Sequence, residues 1–365
     1  MEKLISCQLG DLIEFKNGKA IKPNDGVFPI YGGNGVLGYS SEFNAENSLI
    51  IGRVGAYCGS VFFEKNKFWV SDNAILGIPK NNINAQYAYY LLKQLDLNSK
   101  HVGSSQPLLT QGILSPLNVS ICSDLPAQQK IAHTLSILDR KIALNQQINA
   151  KLEAMAKTLY DYWFMQFDFP NSEGKPYRSS GGEMVWCEEL KREVPEGWAC
   201  GTLQDFLTIK NGRDHKHLSD GKYPVYGSGG LMRCVDEYLY QGESVLMPRK
   251  GTLNNVLYVN EAFWTVDTMF YSEMKISNVA KYVFYSIKDF NFMSLNTGTG
   301  VPSMTSSILY SLLLLKPTDE ILAKFENVIS PIYKAIKANA KQTQKLTQLR
   351  DFLLPMLMNG QVGVR

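Results

Sequence analysis

The sequence predicts an α+β chain made by internal duplication. Two mixed, mainly β domains are separated by two long antiparallel helices, a coiled-coil spacer, with pseudo-two-fold symmetry. Three observations predict this. From Pro126 to Phe167, about 40 residues run without a further proline or any glycine, on a helical seam period. A comparable helical pattern recurs at the C-terminus. Each helix follows a Gly- and aromatic-rich block, and the two blocks share motifs in the same order.

The first block covers residues 1–125. Ser48-Leu49-Ile50-Ile51, Ser60-Val61-Phe62-Phe63 and Phe68-Trp69-Val70 are β-rich and bounded by Gly, Asn and Pro, as strands of a curved antiparallel sheet are. Ala85 to Leu95 has helical spacing and packs on that sheet. The first long helix follows over 126–168. Ile131, Leu135, Leu138, Ile142, Asn145, Asn149, Leu152, Ala156, Leu159 and Trp163 fall on a 4-3 spacing, a narrow seam that strands do not produce. At 1.5 Å per residue such a helix is about 60 Å long, more than one small domain needs.

Residues 169–197 form a connector, rich in Pro, Gly and Ser and either ordered or semi-flexible. The second block, 198–316, repeats the first at an offset of about 195. Leu9 to Lys19 is echoed by Leu203 to Arg213, and Phe28 to Gly33 by Tyr223 to Ser228. Arg53-Val54-Gly55 is echoed by Arg249-Lys250-Gly251, Phe68 to Asp72 by Phe263 to Asp267, and Gly103 to Thr110 by Gly298 to Thr305. Val279 to Asp289 matches the helix of the first block. The second long helix and tail, 317–365, keep the register at an offset of about 190, with Ile321 matching Ile131 and Ile332 matching Ile142. Leu138, Ile142, Asn149, Leu159 and Tyr160, with Ile332, Ile336, Asn339 and Leu349, are the candidate spacer positions. Asn149 and Asn339 act as polar register markers at a cost in stability.

Composition narrows the function. At 365 residues the chain has room for two or three domains, each with its own core. No run of about 18 apolar residues occurs and Met1-Glu2-Lys3-Leu4 has no signal-peptide core, so the expected setting is the cytoplasm, away from membranes. The six cysteines show no C-x-x-C pair and read as reduced core residues. Net charge is +3. Residues 1–125 carry 10 basic and 10 acidic side chains and residues 170–316 carry 15 and 16, so a polyanion surface must come from local clustering. A phosphate-binding G-x-x-x-x-G-K-[ST] loop and a G-x-S-x-G elbow are absent. Asp168-Phe169-Pro170-Asn171 lacks the tandem proline of an adenine-methyltransferase motif. His215-Lys216-His217 alternates in a polar loop without Cys or carboxylate partners, which suits a basic loop better than a metal. The chain reads as a non-enzyme, with no catalytic residue and no metal or cofactor of its own.

Both blocks carry polar and basic loops beside glycine. Lys16-Asn17-Gly18-Lys19 and Lys210-Asn211-Gly212-Arg213 read either as phosphate-facing turns or as plain β-turns with solvated lysines. Tyr31 and Tyr226 either face a ligand or pack the sheet. Arg53 and Arg249, each at a strand end close to Gly, suit a bidentate contact to guanine or phosphate, or an ion pair to Asp72 and Asp267. Ser104, Ser105, Gln106 and Thr299 lie on loops, Gln106 suited to an adenine edge or to a turn. Lys216, Ser228 and Lys250 complete the candidate DNA-binding set.

These features resemble one family. Leu125-Pro126-x-x-Gln129-Lys130-Ile131, Leu138-Asp139-Arg140-Lys141-Ile142, Leu159-Tyr160-Asp161-Tyr162-Trp163-Phe164, Pro195-Glu196-Gly197-Trp198 and Leu353-Leu354-Pro355-Met356-Leu357-x-x-Gly360 carry the resemblance, with the duplication and its Gly-x-x-x-Pro-x-Leu/Met-Thr loops. The chain is similar, over nearly its whole length, to the specificity subunit of type I restriction-modification systems. The second helix departs from the pattern, opening Lys316-Pro317-Thr318-Asp319 without the glutamine. The resemblance implies two target recognition domains, each reading half of a bipartite double-stranded DNA sequence. It also implies two adenine-N6 methyltransferase subunits that bind S-adenosylmethionine, and restriction subunits that use ATP and Mg. Tyr160, Tyr162 and Phe164 are either exposed candidates for docking the methyltransferase or ordinary packing residues. Because His215-Lys216-His217 has no equivalent in the first block, the two half-sites are expected to differ. The rival reading is a protein-only scaffold that tethers subunits without reading DNA, which the neutral blocks favour.

Overall fold

The computed structural model describes residues 4–103, 106–298 and 300–363. They form two compact units: one runs to Gln147 and takes in the chain from Asn339 onward, the other spans Ile148–Ala338.

In the first unit β1 (Leu4–Gln8), α1 (Leu9–Leu12), β2 (Ile13–Asn17), β3 (Phe28–Gly32), β4 (Gly35–Ser40), β5 (Ala45–Gly52), β6 (Val61–Val70), β7 (Ala74–Pro79), α2 (Ala85–Gln94), α3 (Gln111–Leu114) and β8 (Asn118–Cys122) lead into the long helix α4 (Leu125–Tyr160). Six strands form one sheet in the order β2-β7-β5-β6-β3-β4, and β1 pairs with β8 apart from it. The sheet is mixed and departs from the purely antiparallel expectation, because Ile30 and Tyr31 of β3 pair parallel to Trp69 and Val70 of β6. Turn signals report pairing between neighbours in sequence, and this pairing is not local. β6 also runs unbroken through Glu64-Lys65-Asn66-Lys67, where the sequence suggests a gap; pairing of Glu64 with Ser48 and Lys67 with Glu46 overrides weak propensity.

The second unit repeats the plan. After β9 (Met184–Cys187) and β10 (Arg192–Pro195) come β11 (Ala199–Thr202), α5 (Leu203–Phe206), β12 (Leu207–Asn211), β13 (Asp220–Gly227), β14 (Gly230–Val235), β15 (Tyr240–Pro248), β16 (Leu257–Thr265), β17 (Met269–Met274), α6 (Ala280–Lys288), α7 (Ser306–Tyr310), β18 (Leu313–Lys316) and α8 (Asp319–Met358). Its six-stranded sheet has the order β12-β17-β15-β16-β13-β14, strand for strand the order of the first unit.

The helix on each sheet buries one face. In the first unit Tyr87, Ala88, Leu91 and Leu92 of α2 join Leu49, Ile51 and Ile75 of the sheet in one core. The Asn84 side chain caps α2, accepting from the main-chain N–H of Gln86 and Tyr87 at 3.0 Å each. Ile131 and Leu135 of α4 enter the same core, as do Leu357 and Met358 at the far end of α8. Gln128 is fully buried at the start of α4; it accepts from Asn84 N and donates to the Cys122 carbonyl, both at 2.8 Å. The helices run antiparallel here: Asn145 donates to Gln342 Oε1 at 2.9 Å and Arg350 pairs with Asp139 at 2.9 Å. Asn145 is 1% exposed, so it is a buried polar member of the seam. Tyr90 donates to the other Asp139 oxygen at 2.7 Å, fastening α2 to both long helices.

In the second unit the pairing continues with Asn149 Nδ2 donating to the Ile336 carbonyl at 3.1 Å. The α-helix ends at Tyr160, earlier than the periodicity predicts, and passes into one π turn over Asp161–Met165. Phe167 then takes a left-handed φ of 65°, which stops the helix. Of the two readings of Tyr160 and Phe164, exposure fails and packing holds. Tyr160 stacks on Tyr285 and donates to Ser286, while Phe164 sits among Trp198, Tyr282 and Phe325. Only Tyr162 of the three is exposed. A helix period gives the spacing of one narrow face, whereas Tyr160, Trp163 and Phe164 are all buried because this end of the helix is packed on more than one side. The connector is ordered: the Asp168 carboxylate accepts from Ser179 N and Oγ, and Phe169 stacks between Tyr177 and Trp198.

One charged group lies inside this unit. The Lys281 side chain, 3% exposed, bonds Glu243 and Glu326 at 2.7 Å each, tying α6 to β15 and α8. Removing it leaves two carboxylates facing each other without a cation. Lys281→Ala is expected to cost about 3 kcal/mol, the low end for a broken buried pair because Glu243 keeps some solvent contact. Lys281→Arg, which keeps the charge, should cost less; chemical denaturation of both variants checks this.

Candidate nucleic-acid interface

In each unit the loops at one edge of the sheet are tied together through backbone atoms. In the first unit Gly18 N donates to the Ala74 carbonyl at 3.0 Å, and Lys19 N to the Val70 carbonyl at 2.9 Å. A Cβ on Gly18 would stand 1.9 Å from the Ser71 carbonyl oxygen, so only glycine lets the turn approach. Trp69 Nε1 donates to the Lys19 carbonyl at 2.7 Å and straps the turn from outside. Arg53 N donates to the Asn73 carbonyl, its own carbonyl accepts from Leu109 N, and Gly55 N donates to the Pro107 carbonyl. Ser60 Oγ donates to the Gly33 carbonyl at 2.5 Å, bringing in the turn after β3.

The second unit makes the same bonds at matching positions. Arg213 N donates to the Thr265 carbonyl, and Trp264 Nε1 donates to the Arg213 carbonyl at 2.9 Å. A Cβ on Gly212 would stand 2.0 Å from the Val266 carbonyl oxygen. Arg249 N donates to Thr268 O, Met304 N to Arg249 O and Gly251 N to Pro302 O. Asn255 Nδ2 holds the Ser228 carbonyl at 2.9 Å.

The candidate residues divide by placement. Asn17, Lys19, Gln106, Asn211, Arg213, Lys216 and Lys250 are exposed on these loops. Lys16 and Lys210 are exposed beside Glu14 and Glu273, at 3.1 and 3.6 Å. Tyr31 and Tyr226 are half-buried and donate to Glu64 and Glu261, and each packs edge-on against Phe68 or Phe263. Burial, then the adjacent carboxylate, raises the pKa of both hydroxyls, which stay protonated as donors. They pack the sheet beneath the loops. Arg53 and Arg249 are half-buried, and among the described residues neither pairs with the carboxylate of Asp72 or Asp267. Arg249 reaches the Asp267 carbonyl at 3.4 Å and lies over the Phe270 ring, while Arg53 Nε is buried with no hydrogen-bond partner among the described residues. Ser104, Ser105 and Thr299 lie outside the described residues.

On the long helices Ile142 is buried, Leu138, Leu159, Ile332, Ile336 and Asn339 are half-buried, and Leu349 is 44% exposed, off the seam. Ile137 and Leu144 are exposed in the first unit and Met155 in the second. An open groove of about 760 Å³ in the first unit is lined by Lys65, Lys130, His133 and Arg140, with no carboxylate in its lining. The cysteines are not all core residues: Cys234 is exposed, and Cys187, Glu189 and Cys200 bring ligand atoms within 4.8 Å of one another. Burial, then neighbouring Cys187, raises the Cys200 pKa. The Cys187 thiol donates to the Glu189 carboxylate at 3.4 Å.

Sequence reasoning missed the two tryptophan straps, although Trp69 and Trp264 stand at matched positions in the repeat. It also passed over Arg233, which matches a glycine in the first block. The close approach at Gly18 makes a stability test. Gly18→Ala is expected to cost about 2 kcal/mol by overpacking against backbone. Gly300→Ala, with nothing within 4 Å of its Cβ, should change stability by less than about 0.5 kcal/mol; thermal unfolding of the two variants compares them.

The family model for the type I restriction modification DNA specificity domain matches residues 1–154 and 195–348. The chain is 26% identical over 336 residues to the type I restriction enzyme MjaIX specificity subunit of Methanocaldococcus jannaschii, covering 84% of this chain and 76% of that one. It is 22% identical over 329 residues to the HindI specificity subunit of Haemophilus influenzae, covering 70% of this chain and 71% of that one. The crystal structure of a type I restriction-modification S subunit from M. genitalium superposes with a TM-score of 0.69 at 18% identity, over 98% of this chain and 96% of that one. The two repeats found in the sequence are the two stretches that the family model matches, and the chain belongs to this family as a type I specificity subunit with two recognition domains.

Proposed function

We propose that each recognition domain reads one half of an asymmetric, bipartite double-stranded DNA target, and that the long helices set the gap between the halves and dock two methyltransferase subunits. One observation carries the reading. Both units repeat the same backbone ties at the sheet edge, yet the side chains on the tied loops differ. A fixed frame with variable exposed side chains suits base readout, in which the backbone positions and the side chains specify. Arg53 and Arg249, next to those ties, are the base-reading candidates, and the exposed lysines are phosphate contacts. Helices of 36 and 40 residues are long beside DNA, which advances about 34 Å per turn. The carboxylate-free groove at the start of α4 supports docking of an acidic partner segment.

In this reading the chain carries no catalytic group and no cofactor. Adenine-N6 methylation with S-adenosylmethionine, and ATP- and Mg-dependent cleavage, belong to methyltransferase and restriction subunits in the cytoplasm. Among the described residues no helix is long and apolar enough to cross a membrane. The near-neutral charge of the blocks favours one rival, a scaffold that tethers subunits without touching DNA.

The test is the chain assembled with its methyltransferase subunits. Methylome sequencing should return two unlike half-sites across a fixed gap, and affinity should fall steeply between about 50 and 200 mM salt. A palindromic or continuous motif would refute the asymmetric reading, and salt-independent assembly without DNA binding would favour the scaffold. Arg249→Ala is expected to relax one half-site by about 1–3 kcal/mol; uniform weakening on all sequences would make it a phosphate contact.

A further inference from the structure

The loop after β2 and its counterpart after β12 are held by different devices at one strand position. In the first unit that position is Gly38, which pairs with Ile30 across β3–β4. A Cβ there would meet Pro23 Cβ at 2.9 Å, so the loop lies flat on the strand. Asn24 completes the hold: its N–H donates to the Tyr39 carbonyl and its Oδ1 accepts from Gly26 N and Ser41 N. In the second unit the same position, paired with Val225, is Arg233. Its Nη2 donates to the carbonyls of His215 and Leu218 at 2.8 Å each, and its Nε donates to His215 Nδ1 at 3.2 Å. Its Nη1 pairs with Asp220 at 3.3 Å.

The guanidinium thus uses two of its nitrogens on one loop and the third on Asp220 at the start of β13, closing the loop over buried Leu218. The loop follows directly on Arg213, which the Trp264 strap fixes at the interface edge. The His217 ring stands edge-on against Trp264 at 6.0 Å, and Lys216 points into solvent at the apex. Leu218 N also donates to the His215 carbonyl, Lys216 N to the Asp214 carboxylate, and Ser219 exchanges bonds with Asp236, so Arg233 adds the side-chain tie that joins the loop to β14.

We propose that Arg233 is a positioning residue for recognition of one DNA half-site, holding the His215–Leu218 loop so that Lys216 and His217 meet the duplex, and that Gly38 serves the opposite arrangement in the first domain. The inference rests on the DNA-reading function proposed above. A lysine could keep the charge but could not serve two carbonyls and a ring in one plane.

The experiment uses the full chain assembled with its methyltransferase subunits. Methylation is measured on duplexes randomised in one half-site at a time. Arg233→Ala should reduce discrimination about tenfold or more in one half-site only, the one that the surface change Lys216→Ala also relaxes. Combining the two should cost nothing further, because both act through one loop. Arg233→Lys should behave like Arg233→Ala. Equal loss in both half-sites, or discrimination kept within about twofold, overturns the inference. So does wild-type behaviour of Arg233→Lys, which would make charge alone the agent. A wild-type complex with no sequence preference would instead overturn the DNA-reading function itself, and this inference with it.

Discussion

Each core is closed by residues from the other half of the sequence. In the first unit Leu357 and Met358, from the end of α8, pack with Ile131 and Leu135 and the sheet helix α2. In the second, Ala156, Tyr160, Trp163 and Phe164, from α4 and its π turn, pack with Trp198, Tyr282 and Phe325. Burying side chains of this size is worth about 1.5–3 kcal/mol each, so neither core is complete on its own stretch of chain. The long helices are therefore part of the folding of both domains, beyond any role as connectors. Pairing over such sequence separation costs loop-closure entropy, and the uninterrupted helices limit that cost by carrying the distant residues on stiff elements.

What was legible in the sequence was what repeats locally. The 4-3 spacing marked Ile131, Leu135 and Ile142 as inward-facing, and they are buried. The matched motifs marked the loops that the backbone ties gather. Non-local geometry was not legible. The parallel pairing of β3 with β6 leaves no mark in alternation or turn residues, because either orientation presents the same faces. Tyr160 and Phe164 escaped because a seam period marks one narrow face, whereas this end of α4 is packed on more than one side, by α6, Trp198 and α8. Arg233 escaped because a search for shared motifs discards the positions where the repeats differ.

Near-neutral domains are not an obstacle to meeting a polyanion when charge is sorted by location. Glu64 and Glu261 accept from Tyr31 and Tyr226 within the sheet, and Glu243 and Glu326 are engaged by Lys281. Carboxylates spent in this way leave exposed loop cations such as Lys19, Arg213, Lys216 and Lys250 free of ion pairs among the described residues. Near-neutral domains with local cationic clusters feel less of the sequence-independent attraction that a uniformly basic protein feels, which favours discrimination over affinity.

Under the proposed function, the division between backbone and side chain would let one fold serve two readings. The ties of Gly18, of Lys19 and Arg213, of Arg53 and Arg249, and of both tryptophans run to main-chain atoms, and Gly212 makes a close approach like that of Gly18. They constrain few side chains apart from two glycines and two indoles. Neighbouring positions are thereby left to vary without strain in the frame. At Gly38 and Arg233 the variation reaches the strand itself, and a flat loop held by Asn24 is replaced by an arched loop held by a guanidinium. Both solutions bond main-chain groups of the loop. A change at one strand position can then alter which side chains a domain presents while leaving its fold as it was.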